Sequence, residues 1–132
     1  MSRFGEAFDT DDLPDGKEFG LRTARSSDAV WMALGGELDV YATPSLRAAL
    51  RNVERTGPRL IVLDLRGLSF LDSSGLAVLL GAHERAAGDP SLTVKLVITG
   101  STEVEHLFET LHADDFLDIV EDPVALAGAE RG

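Results

Sequence analysis

RLIVLDLRGLSFLDSSGLAVLLGAHERAAGDP, residues 59–90, decides the fold class. Its opening, Leu60-Ile61-Val62-Leu63, is a continuous apolar run of strand length, as a strand buried on both faces requires. Asp64-Leu65-Arg66-Gly67 interrupts it, and Leu68–Leu71 resumes an extended pattern. Asp72-Ser73-Ser74-Gly75 then opens a helix over Gly75–Ala87, which Gly88-Asp89-Pro90 closes. A buried strand running straight into a helix is one half of a βαβ unit, and it needs parallel strands beside it.

Outward from this stretch the alternation continues. Downstream, Thr93–Thr99 reads as a second buried strand and Glu103–Leu111 as a helix with Val104, Leu107, Phe108 and Leu111 facing inward. Phe116–Val120 is a short edge strand, and Pro123–Ala127 a last helical turn. Upstream, Thr43-Pro44 opens a helix, with Thr at the N-cap and Pro at the first helical position. Leu46, Leu50 and Val53 form its apolar stripe; Arg47, Arg51 and Arg55 form a second stripe, read as the solvated face; Gly57-Pro58 ends it. Phe19–Ala24 and Ala29–Leu34 form a hairpin through Arg25-Ser26-Ser27-Asp28, and Gly35-Gly36 bends the chain before Glu37–Val40. The order β-β-α-β-α-β-α-β predicts a single layered α/β domain, a mixed sheet with helices packed against it. It occupies residues 19–127. Residues 1–18, with six acids and two bases, read as a flexible acidic tail, and residues 128–132 as a disordered C-terminus.

Composition narrows the functional classes. The chain has 132 residues, no cysteine and a net charge of −11, which excludes disulfide scaffolds, thiolate zinc sites and cysteine nucleophiles. The acidic balance argues against direct nucleic-acid binding. Apolar runs such as Leu76–Ala82 are too short to span a bilayer, and the N-terminus lacks the pattern of a secretory signal, so a cytoplasmic location is expected.

The chemistry concentrates at Asp72-Ser73-Ser74-Gly75. One serine is expected near the helix N-cap, with Asp72 in the turn before it. Gly75 carries no side chain, which would let another surface approach the backbone. A phosphate on Ser73 would face free N–H groups and the positive end of the helix dipole, beside the opposing charge of Asp72. Hydrolase chemistry is disfavoured: His83 lies about three turns along the helix, roughly 15 Å from Ser73 by helical rise, and no G-x-S-x-G elbow is present. His83, His106 and His112 form no ligand-spaced cluster, so no metal and no cofactor is expected. Residues 101–122 carry eight acids and no base, read as a solvated exterior. A phosphoacceptor receiver would use Asp64, at the end of a buried strand, with Thr99 ending a later one. But Asp11-Asp12 precedes any strand and Lys95 lies within one, so the Mg²⁺ pair and strand-end lysine of a receiver are missing.

Gly36-Glu37-Leu38-Asp39-Val40-Tyr41-Ala42, Leu63-Asp64-Leu65 and Phe70-Leu71-Asp72-Ser73-Ser74-Gly75-Leu76 together resemble the STAS family, over roughly residues 18–125, and the bacterial anti-sigma factor antagonists most closely within it. The resemblance implies a binding switch, not an enzyme. Its unmodified form would bind an anti-sigma factor that is also a serine kinase of the GHKL ATPase type, freeing a sigma factor. Phosphorylation of Ser73, the first serine of the motif, would break the complex, and a metal-dependent serine phosphatase would restore it. Asp39 matches the acidic position near the phosphorylation loop, and Asp72 the residue before the target serine. The partner surface implied is Asp39, Asp72, Ser73, Ser74, Gly75 and Leu76. The sequence departs from the family at Leu111–Phe116, where a Thr-Gly-Leu stretch is common, and in its acidic tail. The alternative within the family is a cytoplasmic subunit of a lipid-transport ABC system, which shares the fold and a similar Asp-Ser loop and needs no phosphorylation.

Overall fold

The computed structural model describes residues 18–98, 102–112 and 119–120. The expected tail over residues 1–18, apart from Glu18, the helical turn at Pro123–Ala127 and residues 128–132 lie outside them.

Among the described residues, five strands and three helices follow the expected order: β1 (Gly20–Ser26), β2 (Ala29–Leu38), α1 (Thr43–Arg55), β3 (Leu60–Leu71), α2 (Ser73–Ala87), β4 (Thr93–Val97), α3 (Thr102–Thr110) and β5 (Ile119–Val120). The sheet runs β1-β2-β3-β4-β5. β1 and β2 pair antiparallel across a two-residue turn, with Ser26 opposite Ala29 and Ser27 at φ 52°. Every later pairing is parallel, as helices between strands demand.

The alternation of side chains sorts the core into two clusters. Val30, Met32 and Leu34 of β2, Ile61, Leu63 and Leu65 of β3, and Val94 and Leu96 of β4 pack with Leu46, Leu50 and Val53 of α1, Leu76, Val78, Leu79 and Ala82 of α2, and Val104 and Phe108 of α3. Ala29, Trp31, Ala33, Leu60, Val62 and Val97 form the second cluster. The run Leu60–Leu63 is thus buried on both faces.

Several local expectations are corrected. The two short extended segments expected on either side of Gly35-Gly36 are one strand, β2, and the two expected around Asp64–Gly67 are one strand, β3. The register slips between Ala33 and Gly35 and again between Gly36 and Glu37, each time admitting an extra residue on β3. Leu65, Leu68 and Leu71 therefore all join the helix-side core at a spacing of three, which hides the strand from any period-two reading. Gly36 sits at φ +81°, and a Cβ there would lie 2.2 Å from the Glu18 carbonyl oxygen, so the bulge needs glycine. Thr43 is not the N-cap of α1. Ala42 holds that position without a side-chain bond, while Thr43 Oγ1 donates to the Val40 carbonyl at 3.1 Å. Leu111 does not face inward: α3 stops at Thr110, His112 takes φ 52°, and Leu111 is left exposed.

Candidate functional site

β2 and β3 both end at the same edge of the sheet, and each hands the chain to a helix through an aspartate. Asp39 follows β2. Its Oδ1 accepts the Tyr41 N–H at 3.0 Å and the Ala42 N–H at 3.1 Å, while its carbonyl accepts from Ala42 and Thr43. This turn supplies acceptors for donors at the start of α1 that Ala42, the N-cap, cannot satisfy with a side chain. Asp72 follows β3 and is the N-cap of α2, with its backbone extended and its Oδ1 accepting the Gly75 N–H at 3.0 Å. The expectation of a serine at this cap, and of a helix beginning at Gly75, is corrected: Ser73 is the first residue of α2.

The two turns are tied together. The Asp72 N–H donates to the Leu38 carbonyl at 3.3 Å. The Ser74 hydroxyl donates to Asp72 Oδ1 at 2.5 Å. That hydroxyl first, then the Gly75 N–H, hold the Asp72 carboxyl below its ordinary pKa against a small opposing effect of burial. Because the folded value is depressed, the cap's contribution to stability is complete above the ordinary carboxylate value. It is lost as pH falls through the lowered folded value.

Of the six residues expected at the partner surface, Ser73 is exposed, Asp39, Asp72 and Ser74 are half-buried, and Gly75 and Leu76 are buried. The two serines differ in chemistry as well as exposure, since only Ser74 spends its proton on Asp72. The expectation for Gly75 is corrected. The surface that approaches it closely is the protein's own: a Cβ there would lie 2.6 Å from Leu71 Cδ1, 2.8 Å from Leu38 Cγ and 3.0 Å from the Leu38 carbonyl oxygen. Leu76 likewise packs in the core, with 8% of its surface exposed. Gly75→Val is therefore expected to act on the fold, lowering stability by about 1–3 kcal/mol through overpacking. A thermal melt checks this; a wild-type midpoint would show that the α2–β2 contact is looser than described.

Asp64, the receiver candidate, is corrected too. It is fully buried, and each of its oxygens accepts two hydrogen bonds: Oδ1 from the Arg66 N–H and Nε, Oδ2 from Arg66 Nη2 and Trp31 Nε1. A carboxylate so enclosed is closed to phosphoryl transfer. Among the described residues no group of three His, Asp or Glu side chains is placed to hold a metal, and no helix is long and apolar enough to cross a membrane. Arg47, Arg51 and Arg55 are exposed, as a solvated stripe would be.

Sequence reasoning missed Val40 and Tyr41. They are large apolar residues left 58% and 88% exposed between the two aspartate turns. Both lie in a loop, where apolar periodicity carries no signal.

Comparison with known proteins places the chain by family and by fold. The family model for the STAS domain matches residues 21–126. The anti-sigma-B factor antagonist of Staphylococcus aureus (strain NCTC 8325 / PS 47) is 33% identical over 89 residues, 67% of this chain and 80% of that protein. A crystal structure of an anti-sigma factor antagonist from Mycobacterium paratuberculosis superposes with a TM-score of 0.77 at 20% identity, covering 87% of this chain and 96% of the other. The phosphorylated form of the Bacillus cell-fate determinant SpoIIAA superposes with a TM-score of 0.62 at 23% identity, covering 85% and 99%. These two structural likenesses are likenesses of fold.

Proposed function

The chain belongs to the STAS domain family, and from that premise we propose that it is an anti-sigma factor antagonist whose partner binding is switched by phosphorylation of Ser73. In its unmodified form it binds an anti-sigma factor that is also a serine kinase of the GHKL ATPase type, and the sigma factor is released. The phosphorylated form does not bind, and a metal-dependent serine phosphatase returns it to the active state. It acts in the cytoplasm as a binding regulator and performs no catalysis of its own.

One observation carries this reading. Ser73 is exposed at the first position of a 15-residue helix, directly after a capping carboxylate. A kinase can reach its hydroxyl without disturbing the core, and a phosphate there meets the unpaired N–H groups and positive dipole of the helix start. The modified protein therefore stays folded while its surface charge changes. The names of its relatives favour the sigma pathway over lipid transport, and one protein of this fold, SpoIIAA, is known in a phosphorylated form.

The test is a purified transcription system of the source bacterium in which an anti-sigma factor holds its sigma factor inactive. Adding the unmodified chain is expected to restore transcription in proportion to its concentration. If no anti-sigma factor of that bacterium releases its sigma factor on addition, the proposal is overturned.

A further inference from the structure

We infer that Tyr41, with Val40 beside it, is the apolar anchor by which the partner docks, and that it enters an apolar recess bordered by lysine or arginine on the anti-sigma factor. The inference rests on the function proposed above and adds the residues and the chemistry that recognition would use. A side chain as large as tyrosine at 88% exposure buries little in this chain, whereas aromatic anchors of this kind are what interfaces use. The loop that carries it is held firmly. Asp39 Oδ1 accepts the Tyr41 and Ala42 N–H groups, and Thr43 Oγ1 donates to the Val40 carbonyl. Presentation on a fixed loop reduces the ordering cost of binding.

The chemistry of the occupant follows from the surroundings. Tyr41 borders a groove lined by Glu18, Phe19, Glu37, Asp39, Ala42 and Ser45, which holds three carboxylates and no base. A second copy of this chain, at net charge −11, would bring like charge to it, and an anionic membrane would do the same. A basic protein surface is complementary. Tyr41 and Ser73 stand on turns joined by the Asp72 N–H to the Leu38 carbonyl, so a partner seated on the anchor reaches the phosphorylatable hydroxyl.

The experiment titrates the purified anti-sigma factor against the wild-type chain, Tyr41→Ala, Tyr41→Phe and Ser73→Asp, with a thermal melt of each. Tyr41→Ala is expected to melt like wild type and to bind about thirty-fold or more weakly, with Tyr41→Phe within about threefold of wild type because the ring, not the hydroxyl, fills the recess. Equal affinity of Tyr41→Ala and wild type, alongside loss of binding in Ser73→Asp, would overturn the anchor and leave the proposed function standing. An equal loss in Tyr41→Phe and Tyr41→Ala would assign the effect to the hydroxyl and overturn the apolar anchor. Failure of the wild-type chain to bind any anti-sigma factor of its bacterium would overturn both.

Discussion

Arg66→Ala is expected to destabilise the protein by about 3–5 kcal/mol, the cost of leaving a buried charge without its partner. The carboxylate left behind is Asp64, fully buried at the end of the both-faces-buried part of β3. In the native protein Arg66 bridges it with Nε at 2.9 Å and Nη2 at 2.7 Å, and adds its backbone N–H at 3.1 Å. The hydrogen bonds to Asp64, more than simple charge attraction, raise the arginine's own pKa against the effect of its partial burial. Without the guanidinium, Asp64 keeps one backbone N–H and the indole N–H of Trp31, 3.1 Å away, which do not neutralise it. In a domain of this size the loss corresponds to a fall in melting midpoint of roughly 10–20 °C. The chain has a single tryptophan, so its fluorescence reports the transition. Asp64→Leu combined with Arg66→Leu should recover much of the loss by removing both charges. It removes the carboxylate that accepts the Trp31 indole N–H, a residual cost of about 1–3 kcal/mol. A wild-type midpoint for Arg66→Ala would contradict the description of this pair.

Asp64 also marks where the sequence stops being legible. An aspartate closing a buried apolar run reads equally well as a solvated turn, a phosphoacceptor or half of an ion pair. Only the return of Arg66 onto it, two residues later across a bulge, separates these. The alternation of strands and helices was plain because each buried strand and each amphipathic helix has its own period. The bulges in β3 were not, because an inserted residue resets the face without changing composition. At the site, the Asp72 turn and Ser73 were readable from residue type and order; Asp39 entered only through the family resemblance, and its turn was hidden in the extended reading of Glu37–Val40. The cap assignment slipped by one residue, since aspartate and serine serve equally well as N-caps. Gly75 was misread for a deeper reason. A glycine at a helix start permits close approach from either side, and the sequence does not say that Leu38 and Leu71 take that space.

Ser73→Asp, and phosphorylation of Ser73 itself, are expected to weaken binding to the anti-sigma factor by some hundreds-fold while leaving the fold intact. A phosphoryl group adds about −1.5 to −2 charge at pH 7. It would stand next to Asp72, a carboxylate whose pKa is already depressed by the Ser74 hydroxyl and the Gly75 N–H. On docking, that added charge must be stripped of its water, and a penalty of about 3–4 kcal/mol is of the size that taking an unmatched charge out of water carries. At 1.4 kcal/mol per decade this gives the stated factor. Within the free protein the same group is favoured by about 0.3–1 kcal/mol at the helix start, so the melting midpoint should hold or rise slightly. A titration of the anti-sigma factor with each form checks the affinity. Ser73→Asp binding as tightly as wild type would show that charge at this position does not control the complex.

The central claim is that Ser73 is the residue modified, and it is tested most directly by incubating the protein with its anti-sigma factor kinase and ATP and mapping the phosphopeptide. Ser73 and Ser74 fall in one peptide, so fragmentation must place the phosphate. Ser73 is exposed, and the Ser74 hydroxyl is bound to Asp72. The predicted result is phosphate on Ser73 alone, abolished in Ser73→Ala and retained in Ser74→Ala. Phosphate on Ser74, or undiminished labelling of Ser73→Ala, would contradict the account.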